Sequence, residues 1–308
     1  MPTKNATRRS KPRPGTRSGK PGRATTKPAK RSSRSPGSVP EKPARTMTLP
    51  MFQVDAFTSR RFHGNPAAVV LLEGKWLPDD LMQSIAAENN LAETAFILRG
   101  KNPALSGLRW FTPSVEVDLC GHATVAAAHV LWNHEKVKSK RIIFTSRSGK
   151  LPVEQDGDRI VLDFPSRPGK KIKITPRLCD ALGREPVEAY MARDLMAVFD
   201  NKRDVHELQP DFAKLTALEP FGFIATAPGA GHDFVSRFFA PAQGINEDPA
   251  TGSSHCTLIP YWAEELGKTH LTSHQVSHRA GEFFCELKGN RVRIGGHAVT
   301  FSKGTITV

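Results

Sequence analysis

Cysteine and tyrosine are scarce in this chain, at four and two residues of 308, and aromatic residues make up 7%. Cys120, Cys179, Cys256 and Cys285 show no CxxC spacing. That argues against a zinc site and gives no disulfide framework. No apolar run nears the roughly 20 residues a membrane span needs, and Val125–Trp132 is among the longest. A secretory apolar segment is also lacking. These absences point to a soluble chain in a reducing compartment, the cytoplasm, with no membrane partner and no metal.

Acid is nearly missing from residues 1–46, which hold fourteen Lys/Arg and only Glu41. The rest of the chain balances 30 basic against 29 acidic residues, so the net charge of +14 belongs almost wholly to this segment. Rich in Arg, Lys, Ser, Thr, Pro and Gly, it cannot bury enough apolar surface to offset its chain entropy, and disorder is expected over 1–48. Three readings fit it. It is an arm with weak, salt-sensitive affinity for nucleic acid or anionic surfaces; an organellar transit peptide, against which its prolines speak; or a translated upstream stretch, with Met47 or Met51 the working start.

From Phe52 onward the pattern is globular. Phe52–Phe57, Ala67–Leu72, Glu93–Leu98 and Leu108–Phe111 read as strands, and Pro78–Asn89 as a helix. Gly121–Trp132 is an Ala/Val helix apolar on nearly all sides, which predicts burial. Arg141–Thr145, Leu151–Gln155 and Arg159–Phe164 form a meander. The second half replays this order. Arg109-Trp110-Phe111 returns as Arg237-Phe238-Phe239 after 128 residues, and Gly121 as Gly252 after 131. The meander returns after 132, with Arg147-Ser148-Gly149 matched by Arg279-Ala280-Gly281. Order and spacing kept over four elements indicate a duplication. The expected fold is α+β: two similar domains, each a barrel-like sheet around a central helix. One spans 49–165 and is completed by about 297–308; the other spans 166–296.

Chemistry is expected between the two helix starts, where the copies disagree. Glu93, at the mouth of an apolar strand, is a candidate general base whose pKa partial burial would raise; its counterpart falls near Pro220. On local sequence alone an ordinary exposed strand-end carboxylate is the commoner reading. His122 follows the helix-start Gly121, where the dipole would lower its pKa, and a simple cap is the alternative. Asp248 precedes Pro249 and either caps the second helix or serves the site. Thr251, Gly252 and Ser253 either cap that helix or hold a substrate carboxylate. Cys120 beside His122 invites a thiol-nucleophile reading, but two positions apart at a helix start they are not assured of contact.

Phe52-Gln53-Val54-Asp55-Ala56-Phe57, Gly64-Asn65-Pro66, Asn90-Leu91-Ala92-Glu93-Thr94, Asp118-Leu119-Cys120-Gly121-His122-Ala123-Thr124 and Glu247-Asp248-Pro249-Ala250-Thr251-Gly252-Ser253 resemble the PhzF-like family of phenazine biosynthesis. The resemblance covers about 50 to 308. It implies a diaminopimelate-epimerase-like fold and a homodimer. It implies an isomerase that needs no cofactor, with Glu93 as the proton-transferring acid/base and His122, Asp248 and Ser253 lining the site. The phenazine enzyme isomerises a dihydro-hydroxyanthranilate by moving a proton between ring carbons. Related epimerases and proline racemases use two cysteines; here Cys120 fills the first position and Thr251 the second, so single-base chemistry on a small cyclic or unsaturated carboxylate is expected. The alternative is a carboxylate-binding or regulatory protein that keeps the cleft without turnover.

Overall fold

The structure, a computed structural model, describes residues 46–308. The three readings of the basic segment lie outside the described residues. The first half runs β1 (Thr48–Ala56), β2 (Asn65–Leu72), α1 (Asp79–Asn89), β3 (Glu93–Leu98), β4 (Leu105–Phe111), β5 (Glu116–Val117), α2 (Gly121–Asn133), β6 (Arg141–Ser146), β7 (Gly149–Asp156) and β8 (Arg159–Pro165). The second runs β9 (Lys170–Ile172), α3 (Pro176–Leu182), β10 (Glu188–Met191), β11 (Leu195–Val198), α4 (Lys202–His206), α5 (Phe212–Thr216), β12 (Phe223–Pro228), β13 (Phe234–Phe239), α6 (His255–Leu266), β14 (His270–Gln275), β15 (Gly281–Lys288), β16 (Arg291–Gly296) and β17 (Ala298–Thr307).

The pairing repeats as the sequence does. β2 runs parallel to β3 and β11 to β12; β4 runs parallel to β6 and β13 to β14. Each half closes with an antiparallel meander, β6–β8 and β14–β16. Corresponding arginines are clamped alike: Arg109 forks onto Glu116 at 2.7 Å, and Arg237 onto Glu247 at 2.7 and 2.9 Å. The halves exchange edges. β8 pairs with β16, and β17 returns to pair along the whole of β1.

α2 is enclosed as its composition requires. Every residue from His122 to Trp132 is buried. A helix apolar all round gains from being wrapped by sheet, at about 1.5–3 kcal/mol for each fully buried large aliphatic side chain. α6 is its counterpart, with Leu258, Ile259 and Trp262 in the same core. Between β11 and β12 the second half carries the short helices α4 and α5 where the first has α1; only the latter of the pair is legible as a periodic segment. Among the described residues no helix is long and apolar enough to cross a membrane.

One turn ties the halves together beside the cleft. Gly64 has φ +64°, and a Cβ there would lie 2.1 Å from the Ala56 carbonyl oxygen, so only glycine fits. Its N–H donates to the Ala280 carbonyl at 2.7 Å. Arg279 reaches across to the buried Asp55 at 2.8 Å and to the Gly64 carbonyl at 2.9 Å. The turn so fixed delivers Asn65 to the site.

Candidate active site

Because β2 and β3 are parallel, with Ala67 opposite Glu93, both strands start at the same end of the sheet. That end faces the start of α2 and the 3-10 turn Gly252–Ser254 that leads into α6. A cleft of about 190 Å³ lies there. Glu93, Gly121, His122, Asp248, Thr251, Gly252 and Ser253 all line it. Larger hollows of about 370 and 440 Å³ lie elsewhere, but neither has a buried acid facing a buried histidine. Chemistry, not size, singles out the cleft.

Glu93 is 9% exposed and His122 8%. Glu93 Oε2 and His122 Nε2 lie 3.0 Å apart. The contact is an ion pair without a straight hydrogen bond, since both atoms lack an aligned partner among the described residues. Burial pushes the Glu93 carboxyl up, but the His122 charge beside it and the polar contacts of His122 and Cys120 outweigh burial and hold it below its ordinary value. The sequence-based expectation of a raised pKa is therefore corrected: burial is present, and a countercharge overrides it. His122 is corrected in the opposite sense. Burial lowers it, yet the buried Cys120 sulfur and the Glu93 carboxylate raise it well above the ordinary value. Burial and the neighbouring Glu93 keep the Cys120 thiol protonated by raising its pKa, so Glu93 supplies the negative charge. The helix dipole loses to a carboxylate at contact distance.

Cys120 Sγ lies 3.5 Å from His122 Nδ1, so the two residues do meet. Cys120 stands at the N-cap position of α2; the Ala123 N–H approaches its sulfur, and the N–H groups of Gly121 and His122 are left to face an anion.

Asp248 does not cap a helix. Asp248 lies in irregular chain, residues 249–250 form a bend, and the helical turn begins only at Gly252. Its carboxylate takes Asn65 Nδ2–H on one oxygen at 2.8 Å and the Thr251 hydroxyl on the other. Gln275, fully buried, fixes the same segment by donating to the Asp248 carbonyl and accepting from the Thr251 N–H at 2.8 Å. Burial raises the Asp248 carboxyl, and the His122 charge and the Thr251 and Asn65 bonds offset only part of that. Thr251 thus braces Asp248. Asn65 and Gln275 were not singled out from sequence, because a turn asparagine and a strand glutamine carry no local pattern.

Two arginines of the cleft wall also escaped notice, Arg167 and Arg193. Arg193 precedes β11, pairs with the buried Asp194, stacks 4.3 Å over the Phe221 ring and donates to Ser253 Oγ at 3.2 Å. Arg167 makes no ion pair with the described residues. Its place is set by Pro260 inside α6. Proline has no N–H to give the Cys256 carbonyl four residues back, and the Arg167 N–H takes that carbonyl instead at 2.8 Å. A proline within a helical pattern was the available signal.

The strand register sharpens the asymmetry. Phe96 lies opposite Arg109, and Ala225 opposite Arg237; three residues back along each strand stand Glu93 and Gly222. The counterpart of Glu93 is therefore Gly222, not the neighbourhood of Pro220. A Cβ at Gly222 would lie 2.4 Å from the Phe238 ring, so the second half has no room for an acid there.

The chain matches the profile of the phenazine biosynthesis-like protein family over residues 54–304. It belongs to that family. An uncharacterized isomerase of Pseudomonas aeruginosa is 51% identical over 261 residues, which are 84% of this chain and 99% of that protein. The crystal structure of a PhzF-family protein from Enterococcus faecalis is 49% identical, superposes with a TM-score of 0.82 and covers 84% of this chain and 99% of that one. A hydroxyproline epimerase from Agrobacterium vitis shares the fold alone, at 10% identity and a TM-score of 0.54 over 85% of this chain and 93% of that one. The duplicated α+β architecture expected from the sequence is the family's, and it is diaminopimelate-epimerase-like.

Proposed function

We propose that the cleft is the active site of an isomerase that needs no cofactor and moves a proton between carbons of a small cyclic or unsaturated carboxylate. The observation that carries this is the buried Glu93–His122 pair at 3.0 Å, facing a half that has Gly222 in place of Glu93 and no thiol in the cleft wall. Glu93 is held ionised, the form that accepts a proton. A carboxylate kept below its ordinary pKa is a mild base, so the substrate C–H must be acidified by conjugation. The protonated His122 stabilises charge developing on the substrate as the proton leaves. Glu93 then returns the proton at another carbon. One residue can do both, because no proton has to arrive from the opposite face.

The substrate carboxylate is held by the free N–H groups at the start of α2, by Ser253 with Arg193, and by Arg167. Phe164, Phe221 and Phe238 give the cleft apolar walls suited to an unsaturated ring. Asp248 orients the Thr251–Ser253 turn and faces the His122 charge.

The test is incubation in deuterium oxide with a panel of cyclic and unsaturated carboxylates that includes a dihydro-hydroxyanthranilate, read by mass spectrometry. Deuterium entering a carbon position supports the reading. Ligand-dependent thermal stabilisation with no exchange in any member of the panel would point to a binding protein instead.

A further inference from the structure

Three donor types that ligate borderline divalent metals such as zinc meet at the cleft wall. A carboxylate oxygen of Glu93, the Cys120 sulfur and a ring nitrogen of His122 all lie within 4.8 Å of one another. No CxxC motif announces the cluster, because Glu93 comes from β3 and the other two from the start of α2. Glu93 and His122 are each more than nine-tenths buried, and Glu93 Oε2 and His122 Nε2 have no aligned hydrogen-bond partner among the described residues. Adjacent ligands of a tetrahedral zinc ion, with bonds of about 2.3 Å to sulfur and 2.0–2.1 Å to nitrogen, stand roughly 3.5 Å apart. Cys120 Sγ and His122 Nδ1 are already separated by 3.5 Å. A Glu93 carboxylate oxygen lies within the same 4.8 Å cluster, and rotation of the glutamate side chain can close the remaining gap.

We propose that Glu93, Cys120 and His122 form an inhibitory site for Zn2+ or a like divalent cation, with the fourth coordination position open to the cleft. Binding converts the Cys120 thiol to a thiolate and the His122 imidazolium to neutral imidazole, and two protons pass to solvent; nothing is oxidised or reduced. The metal and the reaction then compete for the same carboxylate. The inhibition rests on the proton-transfer reading above, whereas the binding does not, so the two can fail separately.

The chelator-stripped full chain is titrated with Co2+, then with Zn2+. One Co2+ per chain is expected, with a near-ultraviolet thiolate-to-cobalt band that Zn2+ abolishes by displacement. The band should be lost in Cys120→Ser, much weakened in Glu93→Gln and kept in Cys179→Ser, whose thiol lies on α3 outside the cleft. A wild-type chain without the band, or a Cys120→Ser chain that keeps it, overturns the site. If Cys120→Ser does not fold, X-ray absorption of the zinc-loaded wild type decides: one sulfur neighbour is expected, and a sulfur-free shell overturns the proposal. With an exchanging substrate in hand, Zn2+ should stop deuterium entry and chelator should restore it; exchange continuing with the site filled would refute inhibition alone.

Discussion

Replacing Glu93 by Gln keeps the shape of the side chain and removes its charge and proton affinity, so it tests both the base role proposed for that carboxylate and its pairing with His122. As the base, its loss should slow deuterium entry by about 10²–10⁴-fold, the usual worth of a positioned acid/base. As the partner of His122, its loss should drop the imidazole's pKa. Unit charges 3.0 Å apart attract by about 5 kcal/mol at an effective dielectric of ~20, which is enough to outweigh burial of the ring. With that attraction gone, the Cys120 contact and the Asp248 charge are left to oppose burial, and the folded pKa falls below its wild-type value. The pH dependence follows in sign. In the wild type, a raised His122 contributes stability that is full below 6.5 and lost as pH rises through the folded value. In Glu93→Gln a less raised His122 contributes less of that low-pH stability. The stability gap between the proteins should therefore widen from pH 8 towards pH 5. Urea unfolding across that range reads the gap, and nitrogen-15 NMR reads the His122 titration. Unchanged exchange, or a His122 that titrates as in the wild type, refutes the reasoning.

Arg193→Met should raise KM by roughly 10- to 100-fold with a smaller change in kcat, since it removes a charge-assisted bond of about 1.5–3 kcal/mol to the bound anion. Pro260→Ala should let α6 reclaim the Cys256 carbonyl and release the Arg167 segment; KM should rise while thermal stability holds or increases. Thr251→Val strips one donor from the Asp248 carboxylate, and unfolding in urea should show a loss of about 1–3 kcal/mol. Burial pushes His129 and His255 down to about 4, so their contribution, on the order of 3 kcal/mol each, is full above pH 6.5 and lost as pH falls towards 4; acid unfolding monitored by circular dichroism should concentrate in that window.

The repeat was legible because it is written in residues that must recur: the Arg-aromatic-Phe strand, the helix-start glycine and the meander turns. Glu93 and His122 stood out because each copy departs from its twin at those positions, and Asp248 because it precedes the Pro249 helix-start signal, with Asp118 near the equivalent place in the first copy. What the sequence hid is long-range. Arg193 reaches Ser253 over sixty residues of chain, and Asn65 reaches Asp248 over 183, so no local pattern connects them. The charge states were hidden for the same reason. Burial of Glu93 can be guessed from an apolar strand, but the imidazolium 3.0 Å away comes from another element, and it reverses the sign.

The duplication explains why the chemistry is one-sided. Two copies of a sheet-wrapped helix make a cleft with two helix starts, and symmetric residues at both would put proton donors on both faces of the substrate. That arrangement inverts a carbon centre. Here the symmetric partner of Glu93 is Gly222, and its space is taken by the Phe238 ring, while Thr251 is engaged with the Asp248 carboxylate. Neither can accept or return a proton from the far side. The second half instead contributes Arg167, Arg193, Ser253, apolar walls and the Asp248 carboxylate, whose oxygens are taken by Asn65 and Thr251. On the role proposed for Glu93, and with both Asp248 oxygens so engaged, a removed proton returns from the same face, to the original carbon or to another carbon of a conjugated system. Shifting a double bond is productive under that restriction, and inverting a stereocentre is not.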